Sequence, residues 1–157
     1  MTFYGDEKSI KNVANLFRKM IEEMKRTRLM VKPDFIEEPD GYMDEVFFES
    51  NHLDLNGEQS SINVMYSTRW APNRPDIIAI NDRFGTKCKY EYEELGSFVF
   101  GVMFYDSQTK EKKQYDLEHA DFDKFELNEQ TDKYEFRGQE WDCEYEILET
   151  LLEEKYK

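Results

Sequence analysis

SFVFGVMFYD, residues 97–106, is the longest apolar run in the chain, with Gly96 before it and a polar segment, residues 107–113, after it. Read as a strand, it puts Phe98, Phe100, Val102 and Phe104 on one face and Val99, Met103 and Tyr105 on the other. Apolar residues on both faces need cover on both, which predicts a central strand. Ten residues are too few to cross a bilayer as a helix.

Upstream of that strand the patterns alternate. Residues 87–95 set Tyr90 and Tyr92 opposite Lys89, Glu91 and Glu93, and residues 61–70 set Ile62, Val64 and Tyr66 opposite Asn63 and Met65. Residues 42–50 read as another strand, and Asn56-Gly57 is a hairpin signal in the loop 51–60. Pro72 and Pro75 interrupt regular structure, and the short apolar run 77–80 reads as a buried strand. Gly85, in the turn 81–86, is a candidate for positive φ. Residues 29–36 suggest an edge strand broken by Pro33, and residues 37–41, EEPDG, a turn.

Downstream, residues 114–117 pair back across the polar segment, and residues 122–127 and 133–137 form a second pair. Helices close both ends. In residues 6–28, Ile10, Val13, Phe17, Met20, Ile21 and Met24 make an apolar stripe, with Asp6 or Ser9 as N-cap. Residues from about 147 to 157 are rich in Leu, Glu and Lys and read as helix. Residues 140–146 fit either period and lean to strand, with an all-acid outer face. The expectation is one α+β domain over residues 1–157. It is a largely antiparallel sheet meander with an amphipathic N-terminal helix and a short C-terminal helix.

The formal net charge is −14, and it is unevenly spread. Residues 1–36 hold eight Lys/Arg and five Asp/Glu, a net of +3, whereas residues 118–154 hold three and 14, a net of −11. Such a surface repels nucleic acid and attracts basic surfaces. Direct nucleic-acid binding, which draws on Lys and Arg at phosphates, is disfavoured. Residues 1–11 lack the apolar segment of a secretory leader, and Cys88 and Cys143 match no zinc or redox spacing. These features point to a cytoplasmic protein (host cytoplasm if viral) with reduced thiols, no membrane association and no cofactor.

Catalytic patterns are thin. His52-Leu53-Asp54 and His119-Ala120-Asp121 each place an acid two residues after a histidine. His52, Asp54 and His119 together would make a two-histidine, one-carboxylate metal site. With 35 acids in 157 residues, such spacing arises readily by chance. Pro75-Asp76 with Lys87 and Lys89 shares elements with metal-dependent nucleases, but the acid-x-Lys element is missing. No phosphate-binding glycine loop or nucleophile elbow occurs.

The acid-rich C-terminal third therefore carries the functional expectation. On a strand, alternate acids recur about every 6.7 Å, a regular row able to imitate a nucleic-acid backbone. Glu140, Asp142, Glu144 and Glu146, with Asp121 and Asp123, are the candidate partner-binding acids; Arg69 and Trp70 form the one loop with hot-spot residue types. The predicted function is a small, non-enzymatic inhibitor or regulator that occupies the basic groove of a DNA- or RNA-handling protein. Phage counter-defence proteins of the anti-restriction or anti-CRISPR type are its class-level analogue. A generic acidic interaction module without mimicry is the alternative, and the His52/Asp54/His119 enzyme a further one.

Overall fold

A stripe of Ile10, Val13, Ala14, Leu16, Phe17 and Met20 is buried along a single 21-residue helix, α1 (Glu7–Thr27). In the computed structural model, which describes residues 1–52, 60–69 and 71–157 (side chains of 50–52 excepted), Asp6 caps this helix. Its carboxylate accepts from the Ser9 backbone N–H at 2.9 Å and the Ser9 hydroxyl at 2.8 Å. Lys25 and Arg26 occupy the last turn, and Arg28 ends the helix in the left-handed conformation at φ 60°.

Eight further elements complete the first part of the chain and its continuation: β1 (Thr2–Gly5), β2 (Met43–His52), β3 (Ser60–Thr68), α2 (Arg74–Phe84), β4 (Lys87–Glu94), β5 (Val99–Asp106), β6 (Glu111–Asp116) and α3 (His119–Phe122). They are followed by β7 (Glu126–Asn128), β8 (Lys133–Phe136), β9 (Gln139–Trp141) and α4 (Glu144–Tyr156). One sheet has the order β2-β3-β1-β4-β5-β6 and another the order β7-β8-β9. The α+β class, the large antiparallel sheet and the two terminal helices are as expected. The order is not that of a meander, because β1 lies between β3 and β4 and is antiparallel to both. At four residues β1 is too short to show a period, and no strand is expected there from sequence.

The chain divides into two compact units, residues 1–90 with 103–113, and residues 91–102 with 114–157. In the first, α1 covers the sheet through Phe3, whose ring lies 5.8 Å from that of Phe17. Phe3, Ile10, Val13, Phe17, Ile62, Val64, Ile77 and Ile80 have essentially no exposed surface. Residues 77–80, expected as a strand, belong to α2. Pro75 sits in its first turn, where no backbone N–H is required. Buried Asp76, Ile77, Ile80 and Asn81 repeat at helical spacing. Gly85 ends α2 at φ 69°, the positive φ foreseen for it. Of residues 29–36, Val31 alone bridges to Met43. The Asn56-Gly57 hairpin signal lies outside the described residues.

A buried polar node ties this unit together. Asp76, 2% exposed, accepts from the backbone N–H groups of Asp40 and Gly41, each at 3.0 Å. Asn73 donates to Gly41 O and to Asp76, and accepts from the hydroxyls of Tyr66 at 2.7 Å and Tyr90 at 3.1 Å. Burial first, then the neighbouring tyrosine, raises the Tyr66 pKa, so the hydroxyl stays a donor.

In the second unit, Phe100, Val102, Leu117, Phe136, Ile147, Leu148, Leu151 and Leu152 are buried. The strand expected over 97–106 begins two residues later. Residues 95–97 form a 3₁₀ turn, and Phe98 takes φ 54° and is 45% exposed. The strand pair expected from residues 122–127 and 133–137 is shorter, since Phe122 ends α3. The helix expected from about residue 147 starts at Glu144, after Cys143 at the N-cap. Gly101 lets a ring pass: a Cβ there would lie 2.7 Å from the Tyr92 ring and 2.6 Å from Asp116. Tyr92 uses that gap to donate to Asp116 at 2.6 Å.

Asp76→Ala takes the acceptor from two part-buried backbone N–H donors, those of Asp40 and Gly41. We expect a loss of about 1–3 kcal/mol for each, read as a lower urea midpoint. A change below about 0.5 kcal/mol would mean that water satisfies the 40–41 turn.

Candidate functional site

Net charge separates by unit. The first unit has 16 Lys/Arg against 17 Asp/Glu, a net of −1; the second has five against 18, a net of −13. Nearly the whole excess of negative charge thus belongs to residues 91–102 and 114–157.

Within the second unit the small sheet arranges part of that charge. Glu126 is the direct partner of Glu135, and Glu135 that of Glu140, across β7, β8 and β9. Adjacent strands are about 4.8 Å apart, so the three carboxylates stand in a row across the sheet. All three residues are exposed. The opposite face carries the row Leu127, Tyr134 and Trp141. The ring pairs Phe125–Tyr134, at 5.8 Å, and Phe136–Trp141, at 6.2 Å, stiffen that side. Like charges directly opposed on a sheet are unfavourable. Compensation nearby comes from a hydrogen bond from Asn128 to Glu135, at 3.0 Å, and from the Lys133 ammonium, whose charge acts on Glu140.

Of the residues singled out from sequence, Glu140 stands in this row. Asp142 lies in the bend after β9, 85% exposed and 3.1 Å from the Lys133 ammonium. Glu144 and Glu146 fall in the first turn of α4, not on a strand. Two residues apart on a helix they point to different sides, and their charge meets the positive end of the helix dipole. The even spacing expected along residues 140–146 is therefore absent. Arg69 is exposed just after β3. Trp70 and Asp54 lie outside the described residues, as does the side chain of His52. Glu126 and Glu135 were missed. Their one signal is a single outward acid on each of two short strands.

Asp123 is exposed, with its carboxylate 3.7 Å from the His119 ring. That ring also lies 4.2 Å from Phe98. Among the described residues no group of three or more His, Cys, Asp or Glu side chains is placed to hold a metal ion. No helix among them is long and apolar enough to cross a membrane. The Cys88 thiol is buried and its pKa is pushed up to about 11 by that burial, while Cys143 is exposed.

Asp121 is a structural acid. It is 5% exposed and closes a capping box on α3, accepting from the Glu118 N–H at 2.8 Å. Lys124 and Lys155 contact its two oxygens at 2.7 and 2.8 Å. Burial pushes its pKa up, but the two lysines and the Glu118 N–H outweigh it and hold the group at about 2.

Residues 47–137 match the family described as the ferredoxin-like domain in Api92-like protein. The chain belongs to that family. No curated protein and no solved structure matches it. The family description agrees with the topology: β1-α1-β2-β3-α2-β4, with strand order β2-β3-β1-β4, is the ferredoxin-like arrangement. The matched span opens within β2 and runs past β8, so it takes in two members of the carboxylate row, Glu126 and Glu135.

The low pKa of Asp121 sets an acid limit on the second unit. Its contribution is complete above the ordinary aspartate value, 3.8, and fades as pH falls through about 2. The difference is worth about 2 kcal/mol. Urea unfolding from pH 5 down to pH 2 should show that loss, and Asp121→Asn should start less stable at pH 5 and lose less. Equal pH slopes in both proteins would remove Asp121 from this role.

Proposed function

We propose that this chain is a small, non-enzymatic regulator that docks its acidic second unit onto the basic surface of a nucleic-acid-handling protein. The observation that carries the reading is the exposed row Glu126–Glu135–Glu140, held across three strands although its like charges repel. Stability alone would favour lysine at the middle position. A residue that costs stability and faces solvent is a mark of binding. The finer form of the proposal is mimicry, in which the row takes positions that phosphates occupy in the partner's groove. The anti-restriction or anti-CRISPR inhibitor is the matching kind of activity. The charge of the second unit supports fast, salt-sensitive association with a basic partner.

Two measurements test the proposal. Glu135→Lys, which turns two like-charge pairs into opposite-charge pairs, should raise stability by about 0.5–1 kcal/mol in thermal melts. The triple change Glu126→Lys, Glu135→Lys and Glu140→Lys should weaken binding to the partner captured from native lysate, mainly by slowing association. Wild-type affinity should drop steeply between low and high salt, and competing DNA should displace the chain. Affinity indifferent to the triple change, to salt and to DNA would sink the reading.

A further inference from the structure

The nearly neutral first unit carries a concavity of about 410 Å³ on its sheet, built from β1, β4, β5 and β6. Helix α1 covers the opposite face, where Phe3 and Cys88 are buried partners. Tyr4 and Lys87, paired across β1 and β4, line the hollow together with Lys89, Phe104 and Lys113. Two aromatic residues and three lysines thus line one hollow, Tyr4 from the N-terminal strand β1 and the others from the consecutive strands β4, β5 and β6. Asp106 and Glu111 steady two of the lysines, Lys87 at 2.9 Å and Lys113 at 3.1 Å. An ammonium has three N–H donors, so each ion pair leaves donors for another anion.

We infer that this concavity is a binding site for a mononucleotide, with its base against Tyr4 and Phe104 and its phosphate among Lys87, Lys89 and Lys113. The volume falls within the range of about 300–1,000 Å³ usual for small-molecule sites. Tyrosine and phenylalanine rings give a base a stacking surface. Lysine binds phosphate as a point charge. The lining holds three lysines and two acids, a local excess of one positive charge in a chain of net charge −14. A short anion sits within that local field, whereas a long polyanion meets the repulsion of the whole chain, which selects a mononucleotide over a strand. This site lies in the first unit and is independent of the acidic row, so either can fail without the other.

The test is a calorimetric titration of the full chain with adenosine 5′-monophosphate, beside ribose 5-phosphate and inorganic phosphate. The nucleotide should bind saturably, and the two base-free phosphates at least about tenfold more weakly, the loss of one stacked base. The double change Lys89→Gln and Lys113→Gln should weaken the nucleotide about tenfold or more, as expected for lost charge-assisted hydrogen bonds. Its urea midpoint should match wild type. Tyr4→Leu should weaken the nucleotide and leave inorganic phosphate unaffected; if that variant unfolds, the double lysine variant still decides. No saturation at millimolar nucleotide, equal binding of inorganic phosphate, or wild-type affinity in the lysine variant would each overturn the assignment.

Discussion

The carboxylate of Asp76 is the constraint on which the first unit depends. It is a buried polar group, and such a group is tolerated only where hydrogen bonds replace water. Two backbone N–H groups and an amide do so here, from a turn more than thirty residues upstream and from the start of α2. Asn73 passes the constraint on to Tyr66 of β3 and Tyr90 of β4. A helix start, a turn and two strands are thereby held in one register by a network with little tolerance for partial satisfaction. Apolar packing around Phe3 and Phe17 supplies the bulk of the burial, while the node selects one arrangement of it.

Much of this architecture was legible in the sequence where a period runs long enough to be seen. The 21 residues of α1 carry a full stripe and a capping aspartate, and the alternation of Tyr90 and Tyr92 with Lys89, Glu91 and Glu93 reports β4 directly. Short elements were not legible. The four residues of β1 carry no period, yet their place between β3 and β4 converts sequential neighbours into the ferredoxin-like order. Residues 77–80 read as a strand because four apolar residues in a row fit both structures; Pro75, taken as a breaker, in fact opens α2. At residues 140–146 a period-two pattern runs through a strand end, a bend and the first turn of α4, and no single element matches it. The acid content of this region was plain, but the row was not. Its order comes from cross-strand pairing, which links residues 126, 135 and 140 and has no counterpart in local spacing.

Segregated charge gives the chain two different chemical characters. Residues 91–102 and 114–157 hold 18 of its 35 acids and five of its 21 basic residues. The remainder is almost balanced, with 16 basic residues against 17 acids. Acids in the second unit also divide by role. Asp121 is internal and saturated by two lysines, Glu144 and Glu146 sit at a helix start, and the row on β7, β8 and β9 faces water. Counting acids along the chain merges these three roles; burial and pairing separate them.

The two thiols differ in a way that is of practical use. Cys88 is buried with its pKa at about 11, so almost none of it is the reactive thiolate at neutral pH, whereas Cys143 is exposed at the N-cap of α4. A maleimide dye added to the native, unaltered chain therefore attaches at one address, two residues beyond Trp141 at the end of β9. The chain comes with its own single-site reporter, seated beside the small acidic sheet and needing no engineered cysteine.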